Sequence, residues 1–124
     1  MKLILAFLTA ALLCVVAAGE RHGSLVQQAD PKFVGLRNPY EGDSSAIEAG
    51  NKLFQRECAA CHGKDARGRG KAPPLVLPDV YRAAPGALFW VLRNGSLKRG
   101  MPSYAHLPDQ QRWQIVTYLK SLGR

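Results

Sequence analysis

Cys58-Ala59-Ala60-Cys61-His62 is the stretch around which the rest of this 124-residue sequence is arranged. Two cysteines three positions apart lie about one helical turn from each other, so both thiols can reach one edge of a flat ligand. The pattern C-x-x-C-H is typical of covalent haem attachment, with the thiols bonded to two vinyl groups and the imidazole bound to the iron. The motif therefore predicts one haem c, with Cys58 and Cys61 as anchors and His62 as an axial ligand.

The same cysteine pair could instead be a redox-active dithiol, a structural disulfide or half of a zinc site. A structural zinc site needs four ligands, and the remaining histidines, His22 and His106, lie far from the motif and lack paired spacing. A thioredoxin-like dithiol belongs in a βαβ unit, and the sequence has no convincing strand pattern. The histidine directly after the second cysteine favours haem over these alternatives.

Residues 1–18 have the order of a secretory signal peptide. A positive charge at Lys2 precedes an apolar run over residues 3–16, and Val16-Ala17-Ala18 offers small residues for cleavage. The run is shorter than the roughly 20 apolar residues that a membrane span prefers. We therefore expect cleavage near Ala18 and export of the chain, in preference to a membrane-anchored form. Cys14 would leave with this segment.

Residues 19–43 contain glycine, proline and polar residues without a sustained period, and we predict an extended leader or linker there. The short apolar patches Leu25-Val26 and Phe33-Val34 could pack on the domain.

Three helices are predicted after this leader, with residues 44–124 as the domain. Ser44 or Ser45 opens the first helix, which ends at Glu57, and Ser45 and Glu48 form a capping-box pattern there. Pro85 and Gly95 bracket a second helix over residues 85–94. A third, over residues 110–122, has apolar residues at intervals of three: Trp113, Val116, Leu119 and Leu122.

Gly50 lies in the middle of the first predicted helix, where glycine costs close to 1 kcal/mol relative to alanine. A close crossing with the last helix would explain it. Tyr118 or Trp113 would then fill the space that Gly50 leaves, next to Phe54.

The glycine-rich basic loop after His62 ends at Pro73-Pro74-Leu75. A proline carbonyl is well suited to accept the ring N–H of His62 and to fix the orientation of the ligand. We favour Pro73 for this role, with Pro74 as the alternative, and we expect Leu75 to contact the haem. Trp90 either donates its indole N–H to a haem propionate or is a core tryptophan.

Met101 lies between Gly100 and Pro102, outside any periodic apolar stretch, and Met1 is the only other methionine. A thioether on the iron would stabilise the ferrous state, raise the reduction potential and fill the sixth coordination position. We predict that Met101 is the second axial ligand.

The segments CAACHG, GRGKAPPL, RNGSLKRGMPSY and WQIVTYLKSLG occur in this order, and residues 45–123 resemble a class I cytochrome c along their whole length. The resemblance implies an all-α fold of three to four short helices around one covalently bound haem, with the first and last helices crossing. It implies a bacterial periplasmic protein. It also assigns thioether roles to Cys58 and Cys61, axial roles to His62 and Met101, the histidine-orienting role to Pro73, and the crossing to Gly50, Phe54 and Tyr118.

Iron bound by histidine and methionine leaves no position for a substrate, and no acid, base or nucleophile is arranged beside it. We therefore predict a one-electron carrier, not an enzyme, that serves periplasmic or membrane redox partners. The alternatives are a haem subunit of a dehydrogenase or oxidase complex, or a ligand-binding sensor or peroxidase-like protein in which Met101 leaves the iron.

The formal net charge is +8. Basic proteins bind nucleic acids, anionic membranes or acidic protein surfaces; export and the lack of a nucleic-acid-binding motif argue against the first. We predict a monomer that docks on acidic surfaces of redox proteins, with at most peripheral membrane contact. Ordinary solvated loops are the alternative for the two basic clusters, which are Lys64, Arg67, Arg69 and Lys71 after His62, and Arg93, Lys98 and Arg99 before Met101.

Overall fold

The computed structural model of the chain describes residues 24–123; the predicted signal peptide lies outside them. These residues fold into helices and loops without a strand, as predicted, apart from two isolated bridges. The α-helices are α1 (Pro31–Val34), α2 (Ser44–Glu57), α3 (Ala59–His62), α4 (Pro78–Tyr81), α5 (Pro85–Asn94) and α6 (Asp109–Ser121), and 3-10 helices span Leu25–Gln28 and Leu97–Arg99.

Helices α2, α5 and α6 are the three predicted helices, and α5 has the predicted bounds. The predicted capping box of α2 is wrong. Asp43 is the N-cap, and its carboxylate accepts hydrogen bonds from the backbone N–H of Ser45 at 2.8 Å and of Ala46 at 3.2 Å. Glu48 instead pairs with Lys52 at 2.8 Å on the exposed face. A charged acceptor at the positive end of the helix dipole outcompetes the serine hydroxyl for the free amides.

Helices α2 and α6 cross at Gly50, as predicted. A Cβ atom at Gly50 would lie 2.0 Å from the backbone carbonyl oxygen of Gln114, so only glycine allows this approach. One turn along, Phe54 is completely buried and its ring centroid lies 5.3 Å from that of Tyr118. Tyr118 is therefore the aromatic residue at the crossing.

Helix α5 packs against α6 through aromatic rings. Phe89 of α5 stacks on Trp113 of α6 with 4.2 Å between centroids. The guanidinium of Arg112, itself buried, lies 4.9 Å from the centroid of Phe89. This contact buries Trp113, which makes it the core tryptophan of the fold.

The prediction of an extended leader is wrong for residues 24–43, the part of it that the structure describes. The ring of Phe33, in α1, stacks on that of Phe89 with 6.4 Å between centroids. A Cβ atom at Gly86 would lie only 1.7 Å from the carbonyl oxygen of Phe33, so the two backbones approach closely there. Asn38 is buried and donates a hydrogen bond to Thr117 Oγ1 at 2.9 Å. These contacts fold the segment onto α5 and α6. Packing of the Phe33-Val34 patch was a possibility that the sequence indicated, and the Phe33 contact is present. The Asn38 contact belongs to no repeating pattern, so hydrophobic periodicity could not reveal it.

Within residues 24–123, no helix combines the length and apolar character needed to cross a bilayer.

Candidate haem-attachment site

The C-x-x-C-H motif occupies the end of α2 and the single turn of α3. The backbone N–H of Cys58 donates to Phe54 O at 2.8 Å, and that of His62 donates to Cys58 O at 2.9 Å. This helical winding places the two free thiols about one turn apart. Cys58 is buried against the core and Cys61 is exposed, so the motif faces both the interior and the surface.

His62 is oriented by the carbonyl of Pro73. Its Nδ1 lies 2.9 Å from Pro73 O. A carbonyl oxygen can only accept, so Nδ1 carries the proton and the lone pair of Nε2 is left free. This is the tautomer that a metal-binding imidazole needs, held by an outer partner that fixes its direction. The contact that the sequence predicted for Pro73 is thus present.

Two backbone hydrogen bonds close the loop over residues 63–75, one back to His62 and one within the loop. The N–H of Gly68 donates to His62 O at 2.7 Å, and the N–H of Leu75 donates to Ala66 O at 2.7 Å. Gly68 has φ +89°, and a Cβ atom there would lie 2.8 Å from Ala72 O. The tight turn at Gly68 therefore brings the Pro73 carbonyl to the histidine.

We expect Gly68→Ala to distort this turn and to move the Pro73 carbonyl away from His62. The added methyl group meets backbone atoms that cannot rotate away, so we expect a loss of about 2 kcal/mol of stability and a fall in melting temperature of roughly 8–16 °C. Thermal unfolding followed by circular dichroism measures it. Gly70→Ala is the matched control, because Gly70 also has a positive φ, of +54°, but has nothing within 4 Å of a Cβ atom. Equal losses in the two variants would contradict the clash.

Met101 is held in a short closed loop. Its N–H donates to Ser96 O at 3.0 Å, and the N–H of Ser96 donates to Met101 O at 2.9 Å. Between them, the 3-10 helix Leu97–Arg99 reverses the chain and Gly100 takes the left-handed conformation with φ +78°. Met101 is half-buried and packs against the hydrophobic core. Its backbone is thus fixed at both ends.

Tyr104 joins the Met101 loop to the cysteine motif, a link that the sequence did not predict. Its hydroxyl donates to Glu57 O at 2.9 Å, one residue before Cys58. Burial, together with the nearby Cys58, Cys61 and Glu57, raises the pKa of Tyr104 to about 12. The hydroxyl therefore remains a hydrogen-bond donor at neutral pH.

Leu75 and Trp90, the other predicted haem contacts, lie on different elements. Leu75 is half-buried and packs against the core at the end of the loop after His62. Trp90 is half-buried on α5, while Leu88 and Phe89 beside it are buried. Trp113 occupies the position of a core tryptophan, and the haem contacts of Leu75 and Trp90 stay predictions.

The donor set fits haem better than the alternatives. Burial raises the pKa of the Cys58 thiol to about 12, whereas a redox-active dithiol needs a lowered thiol pKa. In the described residues, no three or more His, Cys, Asp and Glu side chains come together to hold a metal ion. His106 is exposed, with its ring 6.0 Å from that of Tyr104, and His22 lies outside the described part. Thiols beside an imidazole with a free Nε2 are the groups that haem c requires.

Comparison with known proteins gives the same picture. The family described as cytochrome c oxidase, cbb3-type, subunit III matches residues 45–119. Cytochrome c550 of Pseudomonas aeruginosa is 35% identical over 92 residues, which cover 69% of this chain and 62% of that protein. The quinohemoprotein alcohol dehydrogenase ADH-IIG of Pseudomonas putida is 38% identical over 92 residues, which cover 72% of this chain and 12% of that protein. The chain therefore spans less than two thirds of the length of these relatives.

Among solved structures, cytochrome CL from Methylophaga aminisulfidivorans MPT matches with a TM-score of 0.61 and 26% identity, over 85% of this chain and 71% of that one. Residues 44–124 make up about two thirds of the chain, so this match includes part of the segment before Ser44. The all-α fold, the motif and the family match agree: the chain belongs to the cytochrome c family, in the group described as cbb3-type cytochrome c oxidase subunit III, and is a class I monohaem c-type cytochrome whose cofactor is covalently bound haem c.

Proposed function

We propose that this protein is a one-electron carrier of the bacterial periplasm. Cys58 and Cys61 would form the thioether bonds, and His62 Nε2 and the Met101 sulfur would be the axial ligands. The observation that carries the proposal is the His62 Nδ1 contact with Pro73, because it leaves Nε2 free to bind iron. Haem iron with these two ligands accepts and releases one electron without an open position for substrate.

The protein's own residues then have three tasks. Pro73 keeps the imidazole oriented, and the Ser96–Met101 bridge presents the thioether. The fully buried side chains of Phe54, Ile115 and Val116 keep water out of the core that the two helices enclose. A closely packed core of this kind changes little between the two oxidation states, which favours rapid electron transfer.

A stain for haem after denaturing electrophoresis tests the cofactor assignment, because only covalently bound haem stays with the chain. A redox titration then tests the function, and we expect one reversible transition with the slope of a single electron. A chain without covalent haem, or one that turns over a substrate at the iron, would contradict the proposal.

A second candidate function is that of a haem subunit or domain in a dehydrogenase. It is favoured by the match to a quinohemoprotein alcohol dehydrogenase, in which the matching region covers only 12% of the protein. Purification of the natural protein without detergent or tags distinguishes the two. A stable complex with a much larger dehydrogenase favours the subunit, and a single small species favours the free carrier.

We further propose that the partner docks on the basic rim, defined as Lys64, Arg67, Arg69, Lys71, Arg93, Lys98 and Arg99. All seven side chains are exposed, and the two clusters follow His62 and precede Met101. Leu97, directly before Lys98, is 87% exposed and offers an apolar contact beside the charges. An acidic surface with an apolar centre matches this arrangement.

Lys98→Glu should slow electron transfer to ferricyanide, a small trianion that serves as the probe, by several-fold at low salt. The positive rim attracts the anion only while salt does not screen it, so the difference should nearly vanish at about 1 M salt, where the Debye length is near 3 Å. Stopped-flow spectroscopy measures the rates. Lys52→Glu is the matched control, since Lys52 is exposed on α2 and pairs with Glu48 instead. An equal effect in the control would mean that only the total charge matters.

A further inference from the structure

The stretch after Met101 is fastened at three points. Ser103 Oγ donates to Arg93 O at 2.6 Å, and the N–H of Tyr104 donates to Leu92 O at 2.8 Å. Both bonds lead back to the end of α5. The third bond, from the Tyr104 hydroxyl to Glu57 O at 2.9 Å, leads to a different part of the molecule, 47 residues away in sequence.

Glu57 is the last residue of α2, where backbone carbonyls have no partner within the helix. The Tyr104 hydroxyl satisfies one of them. The next residue is Cys58, the first of the two haem anchors. The Tyr104 hydrogen bond therefore connects the loop that carries Met101 directly to the helix end that carries Cys58.

We propose that Tyr104 is a positioning residue that keeps Met101 on the haem iron. This inference rests on the proposed function, and specifically on ligation by Met101. Imidazole can reach the iron only if the Met101 side chain gives up its place, and the inference is that the loop then moves with it and breaks the Tyr104 bond to α2. We call the state with Met101 on the iron the closed arrangement. Because the Tyr104 bond exists only in that state, its free energy favours the closed arrangement over the state in which Met101 is displaced.

Tyr104→Phe removes the hydroxyl and keeps the ring, which is half-buried against the core. The closed arrangement then loses one hydrogen bond and leaves the Glu57 carbonyl unpaired. We expect the oxidised protein to bind added imidazole roughly three- to tenfold more tightly than the unsubstituted protein, since imidazole competes with Met101 for the iron. The readout is the loss of the weak long-wavelength absorption band of ferric haem bound to thioether sulfur, titrated with imidazole.

Tyr118→Phe is the matched control. It removes the same atom from a ring that packs on Phe54 at the α2–α6 crossing, and we expect an unchanged imidazole affinity. If the imidazole affinity rises by the same factor in both variants, the loss of either hydroxyl has only a general destabilising effect and the inference is wrong. If Tyr104→Phe binds imidazole as the unsubstituted protein does, the inference is also wrong, while the proposed function stands.

The unsubstituted protein separates the two proposals. If its oxidised form lacks the sulfur band, ligation by Met101 is wrong and the inference about Tyr104 falls with it. Amide hydrogen exchange gives a second measurement that needs no variant: saturating imidazole should speed exchange at the Tyr104 amide, which is bonded to Leu92 in the closed loop. Unchanged exchange at that amide would overturn the inference, because the loop would then not open when Met101 is displaced.

Discussion

Gly50→Ala is expected to destabilise the protein by about 3 kcal/mol or more and to lower its melting temperature by more than roughly 12 °C. The new Cβ atom would lie 2.0 Å from Gln114 O, 2.7 Å from Gln114 C and 2.8 Å from Tyr118 Cβ. Two of these are backbone atoms, so no change of rotamer relieves the overlap. Helices α2 and α6 would have to move apart, and the burial of Phe54 between them would be lost in part.

The sign of this effect is itself informative. In an isolated helix, alanine is more favourable than glycine by close to 1 kcal/mol, so helix propensity alone predicts that Gly50→Ala stabilises the protein. Thermal and denaturant unfolding of the haem-loaded protein measure the change. Gly35→Ala is the control, because a Cβ atom there has nothing within 4 Å, and it should leave stability nearly unchanged. A Gly50→Ala variant as stable as the unsubstituted protein would contradict the close crossing.

The helices were predictable because their signals are local. The apolar residues of α2 and α6 recur at the helical period, and Pro85 and Gly95 mark the ends of α5 directly. The start of α2 was predicted correctly, but its capping residue was misassigned, because Asp43, Ser44 and Ser45 are all good N-cap residues. Their order along the chain does not say which side chain turns back onto the free amides, and the structure assigns this role to Asp43.

The attachment motif and its histidine partner were predictable from chemistry. The C-x-x-C-H motif contains the histidine ligand itself. Proline has no N–H, so Pro73 can offer the histidine ring only a carbonyl acceptor. Tyr104 could not be found in this way. Its partner is a backbone carbonyl 47 residues away, and a backbone carbonyl has no sequence signature.

The packing of residues 24–43 was predicted only in part, as a contact that the apolar patches Leu25-Val26 and Phe33-Val34 could make, and the reason is a related one. Phe33 and Asn38 are held by one ring stack and one buried hydrogen bond, and neither residue belongs to a repeating pattern. Gly86 in α5 makes room for this segment, because the backbone of Phe33 occupies the space that a side chain at position 86 would need. Complementarity of this kind appears only when both partners are placed in space.

Met101→Ala is expected to lower the reduction potential by more than about 100 mV, a modest part of the roughly 0.8 V range over which axial ligands tune haem proteins. Thioether sulfur stabilises ferrous iron, so its loss favours the ferric state. The position opposite His62 would also be left to small molecules, and the reduced variant should bind carbon monoxide. Because the backbone N–H and carbonyl of Met101 both form hydrogen bonds with the backbone of Ser96, the loop should keep its backbone conformation when the side chain is removed.

Spectroelectrochemistry and a carbon monoxide titration of the reduced protein check these results. Leu97→Ala is the matched control: it shortens another aliphatic side chain of the same loop, one that is 87% exposed, and should change neither the potential nor carbon monoxide binding. An unchanged spectrum and potential in Met101→Ala would remove Met101 as a ligand. Carbon monoxide binding by the unsubstituted protein would instead favour the sensor or peroxidase-like alternative, because Met101 would then leave the iron in the reduced state. If carbon monoxide binds the variant but not the unsubstituted protein, the Met101 side chain is the group that blocks the sixth coordination position. The iron can then transfer electrons but cannot bind small molecules.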